Sequence, residues 1–281
     1  MQNYNPSGFP KFDIKNLPKS YRFKTIEEFI ILEEIGKGGY SKVYLVQNKK
    51  SGKKYALKAC HKFKKDKDRS DRSYTEIAVL RKLNHPNIIS LKGWFEDKET
   101  IYLVLEHVPE RDCAKYFKHV LPDKNQLRTI MRQLVNVLEY IHNQGIVHRD
   151  IKLENILING EMQIKLIDFG LCAIKEDPYE MIEGTVGTVR YTAPELLSGK
   201  YNESVDIWGL GIILFMLLTG KYPFDGSKKE SIFARIREKN IHYSNYNLEK
   251  RERSLLRKLL NKSPEDRIEI EDVLNEPFFS S

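Results

Sequence analysis

"HRDIKLENILI", His148 to Ile158, is the stretch on which the fold turns. It ends in a short apolar, β-branched run that reads as a strand. Just upstream, "NQLRTIMRQLVNVLEYIHNQG" spaces Leu127, Ile130, Met131, Leu134, Val135, Leu138 and Ile141 three and four residues apart. That spacing predicts a helix with one buried face, and Gly145 suits its C-terminal cap. A loop joining such a helix to such a strand would set Asp150 and Asn155 facing one another. The positive charge of Lys152 falls between them.

Downstream, the strand-like "IKLI" runs into "DFG", Asp168 to Gly170, and "APE" follows at Ala193 to Glu195. Asp168 and Asn155 carry the hard oxygen ligands that Mg²⁺ takes. Asp150 can accept the proton of an attacking hydroxyl. Lys152 and a metal can offset charge on a phosphoryl group in transfer, a chemistry that asks mainly for positioning and electrostatics. DFG alone means little. HRDxKxxN, DFG and APE in this order, each on a suitable element, form a specific set.

Toward the N-terminus, "EIGKGGYSKVYLV" (Glu34 to Val46) nearly spells a glycine-rich phosphate loop, with Ser41 where a third glycine belongs. A dinucleotide fold follows its glycines with a helix, and a Walker loop needs Gly-Lys-Ser/Thr there. Here Val43 and Leu45 alternate with Tyr44 and Val46, which predicts a strand–turn–strand hairpin. Taken alone, the hairpin is either a lid over phosphates or an ordinary glycine turn. Downstream, "YALK" ends a strand on Lys58. Glu76, the only glutamate between Glu34 and Glu96, falls in a helical segment near 72–83. A Lys58–Glu76 ion pair is expected, against the alternative of two solvated surface charges.

The composition bounds the remaining classes. At 281 residues and 41% apolar content the chain suits a folded globular protein, in one large domain or two modest ones. Its net charge of +8 comes with acids interleaved among the bases, as in "HKFKKDKDRSDR", so a solvated surface is expected and nucleic acid is not. Cys60, Cys113 and Cys172 are scattered and odd in number, against a disulfide framework or zinc site and for a reducing compartment, the cytoplasm or nucleus. "VDIWGLGIILFMLLTG" (205–220) is short for a membrane span and contains Asp206, so a buried core helix is expected and a membrane partner is not. Residues 1–28 show no clear period and are expected as an extension, partly disordered or draped on the surface. A sheet-rich half precedes a helical half, with no internal repeat.

On these motifs the chain resembles the eukaryotic protein kinase catalytic domain, serine/threonine type, over about residues 29–279. The resemblance implies an α+β, bilobal fold. A small antiparallel-sheet N-lobe with one main helix (29–106) leads through a hinge (106–110) to a larger helical C-lobe (111–279). ATP would bind between the lobes. Its implied contacts are Ile35, Gly36, Lys37, Gly38, Gly39, Tyr40 and Ser41 of the lid, then Val43, Ala56, Lys58, Leu105, Glu106, Val108, Asp112 and Leu157. Asp150, Lys152, Lys58, Glu76 and Thr188 are implied as catalytic, with Asn155 and Asp168 on Mg²⁺. Leu80, Leu91, His148 and Phe169 match an apolar spine, Arg267 matches the partner of Glu195, and Asp206 matches an acid that braces the catalytic loop.

Lys152 and Thr188 imply Ser/Thr hydroxyls of protein substrates. Asp112 and Glu154 match acids that read a basic residue in the substrate, although Met216 stands where strongly basophilic members carry another acid. Arg149 and Arg72 imply a charge-controlled activation loop with Thr185 as its phosphosite. Glu183 or Glu180 as a permanent charge is the alternative. An activating kinase or activator protein would then be a further partner. The runner-up class is a catalytically silent scaffold that binds nucleotide. At subfamily level the chain leans to Aurora-like or calcium/calmodulin-dependent-kinase-like members.

Overall fold

Alternating apolar residues build the first half of the chain into one sheet. A computed structural model describes residues 12–38, 41–62, 67–109, 111–184 and 186–280. The strands are β1 (Ser20–Tyr21), β2 (Phe29–Lys37), β3 (Ser41–Asn48), β4 (Lys54–His61), β5 (Leu91–Glu96) and β6 (Thr100–Glu106), with α1 (Lys67–Lys82) between β4 and β5. Their order is β1-β5-β6-β4-β3-β2, antiparallel throughout. Val43 pairs with Lys58, and Ala56 pairs with Leu45 and Leu105. Since side chains alternate along a strand, Val43, Ala56, Lys58 and Leu105 share one face. The other face is an apolar core of Val46, Tyr55, Leu57, Phe95 and Val104, joined by Phe29 and Phe23.

Phe23 ties part of the N-terminal stretch to the sheet. β1 pairs with β5 through Ser20–Phe95 and Tyr21–Trp94, and Phe23 is only 6% exposed, while the rest of residues 12–28 stay partly or fully exposed. The Trp94 indole donates to the Pro18 carbonyl at 2.8 Å, and Tyr21 stacks on Trp94 with centroids 5.0 Å apart. Gly93 makes the crossing possible. A Cβ there would lie 2.6 Å from the Tyr21 carbonyl oxygen and 2.7 Å from the Phe23 ring.

The second half holds β7 (Arg111–Asp112), α2 (Cys113–Tyr116), α3 (Lys124–His142), β8 (Ile146–Val147), β9 (Ile156–Ile158), β10 (Ile164–Leu166), β11 (Ala173–Ile174), β12 (Ile182–Glu183), β13 (Lys200–Tyr201), α4 (Ser204–Thr219), α5 (Lys229–Glu238), α6 (Lys250–Leu259) and α7 (Ile270–Val273). All seven apolar positions expected to face inward from α3 are buried. Asp123 caps its start by accepting from the amides of Asn125 and Gln126. The apolar run at 205–220 is α4, buried along most of its length and ended by Gly220 in the left-handed region. Among the described residues no helix is long and apolar enough to cross a membrane.

The chain divides into two compact units. The sheet unit comprises residues up to Glu110, from Phe12, together with Ile167–Gly170. The helical unit takes Arg111–Leu166 and the chain from Leu171 onward. The cut falls between Glu110 and Arg111, and DFG joins the sheet unit, where Asp168 is tied to Lys58.

Candidate active site

In the sheet unit, Lys58 is the centre. It projects from β4 and is buried. Its ammonium meets Glu76 Oε1 at 2.8 Å and Oε2 at 2.7 Å, so the expected ion pair forms, and it meets Asp168 Oδ1 at 2.7 Å. Burial works against the ammonium, but Asp168 and Glu76 outweigh it and hold the Lys58 pKa well above the usual lysine value. Burial pushes the Glu76 carboxyl up, opposed by Lys58 and reinforced by the charge of Asp168. Glu76 is almost fully buried while the Asp168 side chain is 46% exposed, so Asp168 is the member of the triad that can meet a solute. Its backbone sits at φ +63°, an uncommon conformation for a non-glycine residue.

The glycine stretch is a hairpin, as its alternation predicts. Ile35, Gly36 and Lys37 end β2, Gly38 N–H donates to the Ser41 carbonyl at 2.8 Å, and Ser41 begins β3. Gly39 and Tyr40 lie outside the described residues. Leu105 is buried at the end of β6, and Glu106 anchors the following segment by accepting from Ser90 N–H at 2.9 Å. Val108 is half-buried beyond it.

In the helical unit, the loop after β8 carries Asp150. Its Oδ1 accepts from Thr188 Oγ1 at 2.8 Å, and its Oδ2 accepts from Lys152 Nζ at 2.5 Å and Asn155 Nδ2 at 2.9 Å. Lys152 also donates to Thr188 Oγ1 at 2.8 Å. Four residues picked from spacing and resemblance thus meet around one carboxylate. Asn155 Nδ2 is further committed to the Asp150 carbonyl at 2.9 Å, which leaves the amide oxygen as its group for a cation. The chain returns to Asp150 through Gly187, at φ +99°, where a Cβ would sit 2.8 Å from the Arg149 carbonyl oxygen. Leu157 is half-buried on β9, opposite Asp112. Asp112 caps α2 by accepting from Lys115 N–H at 2.8 Å and pairs with the Lys115 ammonium.

Asp206 braces this loop. It accepts from the His148 and Arg149 amides, both at 2.8 Å, and meets His142 Nε2 at 2.9 Å. Arg267 holds Glu195 in a two-point ion pair and donates to the Ser204 carbonyl. Sequence reasoning passed over His142 and also Tyr191, whose hydroxyl lies 3.4 Å from both Glu154 Oε2 and Met216 Sδ. No local signal marks either one, because their partners are 25 to 64 residues away.

The regulatory residues come out differently. Thr185 lies outside the described residues. Arg72 is exposed on α1, in the sheet unit, whereas Arg149 belongs to the helical unit. Arg149 donates to the carbonyls of Leu171 (2.6 Å) and Cys172 (3.3 Å) and to the Tyr201 hydroxyl (3.0 Å). Glu183 faces Lys200 at 3.5 Å, and Glu180 accepts from the Glu176 amide, so the structure pairs neither with Arg149. Lys175, which no motif marked, is buried between the Pro178 carbonyl and Glu203, each at 2.6 Å, and pins the segment after DFG.

Residues 29–279 match the family described as "Protein kinase domain". The chain is 35% identical over 268 residues to an Aurora kinase of Saccharomyces cerevisiae, covering 94% of this chain and 72% of that protein. It is 35% identical over 261 residues to a probable serine/threonine-protein kinase, MARK-A, of Dictyostelium discoideum, covering 92% of this chain and 24% of that one. With serine/threonine-protein kinase PLK1 of Xenopus laevis the identity is 34% over 250 residues, covering 88% and 42%. The chain therefore spans less than half the length of several relatives, and near-equal identity to three kinds of kinase assigns it to none of them in particular. A buried lysine–glutamate pair joined by Asp168, a braced Asp150 and a match over nearly the whole chain place this protein in the eukaryotic protein kinase family, among the serine/threonine kinases.

Proposed function

We propose that the chain transfers the γ-phosphoryl group of Mg-ATP to serine or threonine hydroxyls of proteins. The observation that carries this reading is the ring of donors on Asp150. Thr188, Lys152 and Asn155 fix both carboxylate oxygens, so the carboxylate is aimed before any substrate arrives. Asp150 takes the proton of the incoming hydroxyl as its oxygen bonds to phosphorus and the bond to the leaving ADP breaks. Lys152 offsets charge on the transferring group. Lys58, held by Glu76, takes phosphate oxygens, and the hairpin through Gly36 and Gly38 covers them with backbone amides. Asp168 and Asn155 would hold Mg²⁺, which would supply positive charge to offset that of the phosphates. Two protein oxygens suit Mg²⁺, which usually retains water and phosphate ligands.

Arg149 supports control by phosphate. Three of its five N–H groups have neutral described partners, and among the described residues no carboxylate pairs with it. A phosphate on Thr185 would supply that counter-charge. The three cysteines are free and buried, which fits a reducing compartment, the cytoplasm or nucleus.

The test is ATP-dependent phosphorylation of a generic protein substrate, with Asp150→Asn alongside. Native protein is expected to label serine and threonine, and the variant to lose at least about 10²-fold in kcat. Equal inertness of both proteins while Mg-ATP still raises Tm would establish a nucleotide-binding scaffold instead.

A further inference from the structure

The Lys58–Glu76 pair works only while α1 holds Glu76 over β4. Packing grips the two ends of α1 unequally. Its aliphatic residues begin at Ile77, and Ile77, Val79 and Leu80 are buried, whereas the sequence from Lys67 to Glu76 contains no aliphatic side chain. From Asp71 to Glu76 the helix therefore depends on polar ties. One is Glu76 to Lys58. A single ion pair sets a distance but leaves a helix able to roll about its axis.

A second tie lies on another flank. Tyr74 precedes Glu76 by two residues, so the two side chains leave the helix about 200° apart at 3.6 residues per turn. The Tyr74 hydroxyl donates to Glu96 Oε2 at 2.5 Å, and the same oxygen is paired with Lys62 Nζ at 2.8 Å. Lys62 also donates to the Asp97 carbonyl at 2.7 Å. The Lys62 and Glu96 side chains are 21% and 12% exposed, so water competes little for them. Glu96 closes β5, and Lys62 follows β4 directly, four residues after Lys58. Both halves of the first tie therefore have a neighbour in the second. Burial, with the adjacent Glu96, pushes the Tyr74 hydroxyl up, so it stays a donor at neutral pH. Burial opposes ionisation of Glu96, but Lys62 and Tyr74 outweigh it and hold the carboxyl low.

We propose that Tyr74, Glu96 and Lys62 form a second lock that fixes the roll of α1 and so keeps Glu76 on Lys58. They are positioning residues that act through Glu76. The inference rests on the role given to the Lys58–Glu76 pair above, and a double-mutant cycle separates the two.

Tyr74→Phe keeps the ring and removes the hydroxyl. It is expected to lower kcat/KM for ATP about tenfold, equivalent to about 1.4 kcal/mol, with KM for the peptide substrate unchanged. In a Glu76→Gln background the same exchange should change kcat/KM less than twofold, because the pair it positions is already gone. Lys62→Met should show the same non-additivity, and the Tm increment given by Mg-ATP, read in all four proteins of the cycle, should follow the same pattern. Equal losses in both backgrounds would make Tyr74 a general stabiliser and overturn the lock, as would an unaltered Tyr74→Phe beside a crippled Glu76→Gln. Full activity in Glu76→Gln alone would overturn the reading of the pair and the lock with it.

Discussion

Buried on α4, Asp206 accepts two backbone amides and meets His142, all within 2.9 Å. Burial alone would push its carboxyl up. The hydrogen bond and charge of His142, with help from His148, outweigh that and hold it below the ordinary carboxylate value of 3.8. The folded pKa thus lies below the unfolded one. Its stabilisation is complete above about pH 4 and fades as pH falls through the lower, folded value. Asp206→Asn keeps the shape and removes the charge, and should cost about 2–3 kcal/mol at neutral pH. Urea melts at pH 7 and pH 3 should show the gap from native protein narrowing in acid. An equal gap at both would mean that Asp206 is not held ionised. Asp150, Asn155, Asp168, Lys58 and Glu76 were all legible from spacing, because each sits in a short motif or has few rivals nearby. His142 and Tyr74 were not, since their partners are distant and a histidine or tyrosine on a helix carries no mark of what it will meet.

Among elements, α3 was legible because 19 residues repeat one pattern often enough to declare a face. β1 was not: two residues hold no period, and its place is set by Gly93, more than seventy positions away. Gly93→Ala tests how far that strand belongs to the fold. Its Cβ would need Tyr21 and Phe23 to move, so it should destabilise the protein by about 1–3 kcal/mol, read as a fall in Tm. An unchanged Tm would show that residues 20–23 are held loosely. The segment after DFG makes the converse case. Lys175 is buried against Glu203, Ile182 is buried, and β12 pairs with β13. Phosphate at Thr185 would therefore add to a segment already in place. Phosphatase treatment should lower activity less than about tenfold, roughly 1.4 kcal/mol. A complete loss would mean that these contacts do not order the segment by themselves.

Across the whole molecule, the residues proposed for the chemistry fall in different units. Lys58, Glu76 and Asp168 belong to the sheet unit, and Asp150, Lys152, Asn155 and Thr188 to the helical one. If the first set serves the nucleotide and the second the transfer, binding and turnover should separate by mutation. A ligand that binds only the folded state stabilises it by about 2.7 kcal/mol at a hundredfold excess over Kd, a rise of several degrees in Tm for a chain of this size. Asp150→Asn should retain most of that rise with Mg-ATP while losing turnover. Lys58→Met should lose most of the rise. Its Tm without nucleotide should fall as well, because Glu76 is left buried beside Asp168 with no cation between them, so each protein is compared with its own nucleotide-free Tm. A full Mg-ATP increment in Lys58→Met would remove the triad from nucleotide binding. Loss of the increment in Asp150→Asn would show that the donors around Asp150 serve the nucleotide as well as the hydroxyl.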